Sequence, residues 1–144
     1  MDTPSTITST DFDATRSRSL RHEAALGAVA ATAANVAVWV AGRAADVSFM
    51  VTPLGGKTAT EVGIVPVVLT TLIAFAVGTG LFALAARRSD RWARVVLTAG
   101  VLVAVASASG PLSKAEDTST GVLLAAMHLL TGAAFAITAS RARR

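Results

Sequence analysis

The sequence predicts an all-α membrane fold, an antiparallel four-helix transmembrane bundle with a short outer β-hairpin or loop between spans 1 and 2. Three observations predict it. The 144 residues are 53% apolar and only 15% charged, with mean hydropathy +0.60. The charged residues leave four long uncharged segments, Ala24 to Gly42, Val62 to Ala86, Val95 to Ser113 and Thr118 to Ser140. The cations gather at alternate connections between them. A soluble domain carries about 25% charged residues, so lipid rather than water must cover the apolar excess.

The leader, 1–20, is rich in Ser, Thr and Asp and is expected to be a disordered cytoplasmic segment ahead of a four-helix transmembrane domain, 21–144. Its length argues against a cleaved signal peptide, as does the first uncharged run, which exceeds the usual h-region. Span 1, about 24–42, is alanine-rich and the weakest insertion signal, with Leu26, Val29, Val36, Val38, Trp39 and Val40 as its larger apolar groups.

The connection after span 1 alternates Val47, Phe49 and Val51 with Ser48, Met50 and Thr52. It then turns at Pro53-Leu54-Gly55-Gly56 and returns over Thr58 to Val62. That pattern reads as a hairpin whose Phe49 face packs on the bundle; the alternative is an irregular loop. Span 2, about 62–86, follows a Thr58/Glu61 capping-box spacing, and Pro66 falls in its first turns. Span 3, about 95–110, is expected to stop near Ser109 because Gly110-Pro111 follows. Span 4, about 118–140, follows a Ser113/Glu116 spacing of the same capping type. At about 1.5 Å per residue these segments measure roughly 28 to 38 Å, against a hydrocarbon core of about 30 Å.

Orientation follows from the cations. Arg16, Arg18, Arg21, Arg87, Arg88, Arg91, Arg94, Arg141, Arg143 and Arg144 lie on one set of flanks, and only Arg43, Lys57 and Lys114 on the other. The bias places both termini and the middle loop in the cytoplasm and the protein in the cell (cytoplasmic) membrane. Sequence pI near 11.1 therefore reports threading, and nucleic acid is not an expected partner. Anionic lipid at the inner face is, with Trp92 among those arginines at headgroup level.

Few residues offer chemistry. Zero cysteines exclude disulfides, thiolate metal sites and thiol redox relays. Gly78-Thr79-Gly80-Leu81-Phe82-Ala83 imitates a dinucleotide fingerprint but lies inside an uncharged span, without the strand-to-helix context that binding requires. No phosphate-loop, zinc-protease or nucleophile-elbow motif occurs. The outer acids Asp46, Glu61, Glu116 and Asp117 read as solvated charges and helix caps.

The candidate site is an intramembrane polar pair, Asn35 and His128, which lie at similar depth on antiparallel spans. A hydrogen bond between them would act as helix glue; a titrating His128 would instead serve a relay or ligand site. No metal, cofactor-binding or catalytic residue is expected, since His22 is the only other histidine and no carboxylate or thiol lies within a span. Small residues at four-residue spacing, Ala74/Gly78/Phe82, Ala76/Gly80/Leu84, Gly121/Ala125 and Gly132/Ala136, are expected to pack helices within one chain rather than between chains.

Several short motifs occur together: an Arg-rich start, Ala34-Asn35-Val36-Ala37-Val38-Trp39, Val47-Ser48-Phe49 with Gly55-Gly56, Ser109-Gly110-Pro111-Leu112, and Ala125-Ala126-Met127-His128-Leu129. Over roughly 20–140 the chain resembles an uncharacterised actinobacterial family of small four-span membrane proteins, a domain of unknown function. The resemblance implies an integral membrane protein with recurrent polar positions at Asn35 and His128, and no activity.

The function expected is therefore that of a non-enzymatic multi-pass accessory or interaction subunit, with a membrane protein partner or a homo-oligomer. The alternative is a small oligomeric transporter or ion pathway using the midplane polar residues. Small multidrug exporters have this size, but rely on a membrane-embedded carboxylate, and no Asp or Glu lies within these spans.

Overall fold

The computed structural model describes the backbone of residues 9–53 and 55–143, and side chains from Arg21 onward over the same ranges. Its elements in order are α1 (Ser9–Ala44), β1 (Met50–Val51), β2 (Thr60–Glu61), α2 (Ile64–Arg88), α3 (Asp90–Ser107), α4 (Ser109–Lys114) and α5 (Thr118–Arg141). Four stretches, Arg21–Ala44, Ile64–Arg88, Asp90–Lys114 and Thr118–Arg141, are long and apolar enough to cross a membrane. The first and third run a few residues beyond the predicted spans at both ends, where the helix continues into its charged flanks; the second starts two residues later than predicted and ends two later, and the fourth ends one residue later.

α5 is the centre of the bundle. It packs against α1, α3 and α4, while α2 bridges α1 and α3. Burial follows that order: 39% of the α5 apolar window is enclosed, against 6% for the α3 span. Two core clusters lie along the axis. Toward the end where Ser89 joins α2 to α3, Ala31, Phe75, Phe82, Ala93, Phe135 and Ala139 interlock, with Phe82 edge-on to Phe135. Toward the hairpin end, Phe49, Val67, Leu124 and Met127 form the second cluster.

Small residues set the helix spacing. A Cβ at Gly100 would lie 2.5 Å from Phe135 and one at Gly132 would approach Ala104, so both glycines are required by close approach within the chain. Gly78 and Gly121 also pack internally, against Phe135 and the Pro111–Ala115 segment. The Ala76/Gly80/Leu84 row differs: Gly80 has nothing within 4 Å and Leu84 is exposed, so among the described residues it packs against no helix.

The hairpin exists but is short, two residues per strand, pairing Met50 with Glu61 and Val51 with Thr60. β1 also bridges Val51 to Ala115, with Thr52 N–H donating to Lys114 O and Glu116 N–H to Met50 O. Both edges of β1 are thus used, and the first connection is tied to the α4–α5 linker. Phe49 is fully buried and adopts φ +52°, a left-handed conformation costing about 1 kcal/mol or more. Burying its ring against Trp39 and opposite Gly42, at about 1.5–3 kcal/mol, offsets that cost. The expectation that the Phe49 face packs on the bundle holds.

Three local expectations are corrected. Neither capping box forms. α2 starts from Gly63 without a side-chain cap, Glu61 pairs instead with Arg43 at 2.9 Å, and Ser113 donates to Gly110 O. The cap of α5 is Asp117, which accepts from Thr120 N–H. Gly110-Pro111 does not end the third span: the helix breaks at Ala108 and resumes as α4, where Pro111 sits in the first turn and its missing N–H costs nothing. Finally, α1 begins at Ser9, so residues 9–20 of the expected disordered leader are helical, while 1–8 lie outside the described residues.

Candidate functional site

Between the two core clusters lies one polar layer, placed by helical period. On α1, Asn35 comes one turn after Ala31; on α2, Thr71 comes one turn before Phe75; on α5, Thr131 comes one turn before Phe135. A four-residue step keeps a side chain on the same helix face, so residues flanking the aromatic core converge at the next level. Asn35 is 2% exposed. Its Nδ2 donates to Thr71 Oγ1 and to Thr131 Oγ1, each at 2.9 Å, joining three helices through one amide.

The two hydroxyls satisfy themselves within their own helices. Thr71 donates to Val67 O at 2.7 Å and Thr131 to Met127 O at 2.9 Å. Each oxygen is then free to accept from Asn35. The amide nitrogen uses both hydrogens, whereas Asn35 Oδ1 is buried and meets no donor. Thr32 Oγ1, one turn away on α1, is also buried without a partner.

This layer forms the back of a cavity of about 940 Å³ running between α2 and α3, with α5 as its floor. On α2 its lining extends from Pro66 to Leu81, about 22 Å along the axis and most of a bilayer's hydrocarbon depth. α3 and α4 supply the opposite wall, including Gly100, Val103, Ala104 and Pro111. Asn35 is the single α1 residue in the lining. Exposed Val77, Leu81 and Val103 line it as well, so it opens as a crevice on the bundle's side. Among the described residues Lys114 is its one charged lining residue, at the hairpin end.

The predicted pair is brought to one crevice but not joined. Asn35 and His128 both line it, yet the Asn35 hydrogens go to threonines and the His128 ring turns to its own helix, with Nδ1 2.8 Å from Leu124 O. A carbonyl oxygen only accepts, so Nδ1 carries a hydrogen toward it. Similar depth brought the two residues to one crevice, but the Asn35 amide meets Thr131, about one turn along α5 from His128. Thr71 and Thr131 escaped sequence reading because a threonine in a helix is self-satisfied by its i−4 carbonyl. Their four-residue offset from Phe75 and Phe135 was the available signal.

A second polar cluster holds the hairpin end closed over the crevice. The Asp117 carboxylate accepts from Thr120 N–H, Thr120 Oγ1 and Ser48 Oγ, each at 2.8 Å, and Thr120 Oγ1 accepts from Phe49 N–H at 3.0 Å. The Thr120 backbone donor first, then the Ser48 and Thr120 hydroxyls, hold Asp117 below the usual carboxylate range. Glu116 accepts from Thr52, and Trp39 Nε1 donates to Val62 O under the Arg43 guanidinium. The outer acids thus act as a cap, a strand tie and an ion-pair partner.

Residues 15–144 match the sequence pattern of DUF6069, described as a family of unknown function. The chain belongs to that family. Among curated proteins and solved structures none matches this DUF6069 chain. The four apolar helices of this DUF6069 chain are those of a membrane protein.

Proposed function

We propose that this DUF6069 protein is a non-enzymatic accessory protein of the cytoplasmic membrane, with both termini inside, that takes an apolar or amphiphilic guest from the bilayer into the α2–α3 crevice. The observation that carries the reading is the crevice itself: about 940 Å³, open sideways, overwhelmingly apolar, yet backed by a buried amide. Its volume lies at the upper end of small-molecule sites, and a few placed polar groups in an apolar lining are what fix a ligand's orientation. Lateral opening suits a molecule already dissolved in lipid. The arginines Arg87, Arg88, Arg91 and Arg94, set around the Ser89 turn, hold anionic lipid of the inner leaflet in this reading.

Purification in mild detergent followed by native mass spectrometry tests it. The expected result is a lipid-soluble adduct on the wild type that is lost in Ala74→Phe and Ala99→Phe, which narrow the crevice from exposed positions, with thermal stability retained. An adduct indifferent to both substitutions would overturn the proposal. A second reading, passage of a substrate through the crevice, is favoured by one observation, the presence of both Asn35 and His128 in its lining. Flux in liposomes that depends on pH and disappears in His128→Gln supports transport over simple binding.

A further inference from the structure

We infer that the crevice selects a guest whose head brings a hydrogen-bond donor, a neutral alcohol or hydroquinone, over one whose head only accepts. The inference rests on the crevice being a guest site, as proposed above. It comes from counting hydrogens. Along the interior of the crevice the polar side chains are Asn35, Thr70, Thr71, His128 and Thr131, with Ser107 nearer the hairpin end.

The hydrogens of the amide and of the four hydroxyls are already committed. Asn35 Nδ2 gives both of its hydrogens to Thr71 and Thr131. The hydroxyls of Thr70, Thr71, Thr131 and Ser107 donate to Pro66 O, Val67 O, Met127 O and Ala104 O. His128 Nδ1 donates to Leu124 O. What is left on Asn35, at the back of the crevice, is acceptor capacity: its buried Oδ1, without a partner. Thr32 Oγ1, one turn away, is itself unpartnered and so does not supply the hydrogen that Oδ1 lacks.

A buried amide oxygen with no donor is unfavourable in an apolar surround, and a guest hydroxyl corrects that. A quinone carbonyl, an ester or an ether brings only lone pairs and finds no hydrogen to accept from Asn35, Thr71 or Thr131. Phosphate and carboxylate heads would enter a lining whose one cation, Lys114, lies at the hairpin end, remote in the chain from the Asn35 level. The chemistry recognised is therefore a neutral donor on an apolar stem.

The chain offers a clean reporter, because Asn35 is its single asparagine and there is no glutamine. Selective 13Cγ-asparagine labelling of the full-length protein in detergent gives one side-chain carbonyl signal. The probes are an alkyl hydroquinone and its dimethyl ether with the same chain, measured for binding and for the Asn35 carbonyl band by isotope-edited infrared spectroscopy. The hydroquinone should bind about tenfold more tightly than the ether, from one hydrogen bond gained, and should move the Asn35 carbonyl band to lower frequency. Ala74→Phe should abolish binding of both.

Equal binding of hydroquinone and ether with an unmoved band, both lost in Ala74→Phe, overturns donor selection and leaves the crevice as a guest site. Binding of neither probe, or binding untouched by Ala74→Phe, sinks the crevice reading together with this inference.

Discussion

Asn35→Leu should change stability far less than the burial of the residue suggests. Leucine is close to asparagine in size and shape, so the substitution leaves the packing of Ala31, Phe75 and Phe135 near it largely intact and removes only polar chemistry. Two hydrogen bonds disappear, to Thr71 and Thr131. Interhelical bonds of this kind in membrane proteins average about 0.6 kcal/mol, so the loss is about 1.2 kcal/mol. The threonines are not orphaned, since each still donates to its own helix. Removing Oδ1 deletes an unpaired buried oxygen, a change that runs in the stabilising direction. The expected net loss is about 0–1 kcal/mol, measured by reversible unfolding in mixed micelles with increasing SDS. A double-mutant cycle with Thr71→Val should return a coupling near 0.6 kcal/mol. A loss above about 3 kcal/mol would refute the reasoning, because it would require Oδ1 to be making an interaction that the ledger leaves unmade.

Glycine substitutions separate close approach from lipid-facing surface. Gly42→Ala would put a Cβ 2.5 Å from the Phe49 ring and should destabilise by about 1–3 kcal/mol in the same assay, whereas Gly80→Ala, with nothing within 4 Å, should be neutral or stabilising by up to about 1 kcal/mol. The Asp117 carboxylate has a folded-state pKa below its unfolded value, so the stability it contributes is present above the ordinary carboxylate range and is lost as pH falls through the folded pKa. Thermal stability should therefore fall below about pH 4, with a smaller acid-side loss in Asp117→Asn, where no carboxylate titrates at that site. The absence of cysteine makes single-cysteine labelling unambiguous. In intact cells, Gly56→Cys should react with an impermeant maleimide and Arg143→Cys should not; the opposite pattern would reverse the threading.

Most of the bundle was legible because its signals are collective. Four uncharged runs define the spans, since a stray charge in hydrocarbon is unfavourable enough to be visible one residue at a time. Capping was less legible. Both Thr58/Glu61 and Ser113/Glu116 satisfy the spacing of a capping box, but tertiary partners claimed the acids first: Arg43 took Glu61, and Thr52 took Glu116 once β1 had drawn the α4–α5 linker alongside. Gly110-Pro111 failed as a stop signal for a related reason. Proline breaks a helix only where an N–H is needed, and a break at Ala108 moved Pro111 into a first turn.

The polar site shows what one-dimensional depth leaves out. Residue counting put Asn35 and His128 at one level, and both do reach the same crevice. Whether two side chains meet is decided on a finer scale, and at about 1.5 Å per residue Thr131 lies about 4.5 Å along α5 from His128 on the same face. Thr131 reaches Asn35, whereas His128, about one turn away, is exposed and turned to the Leu124 carbonyl of its own helix. The outcome divides one amide between two tasks. Its nitrogen, with two hydrogens, is used for holding α1, α2 and α5 together, and its oxygen is left over. A structural role and a recognition role therefore need not compete for Asn35, which is why a leucine there should fold well yet no longer distinguish a donor from an acceptor.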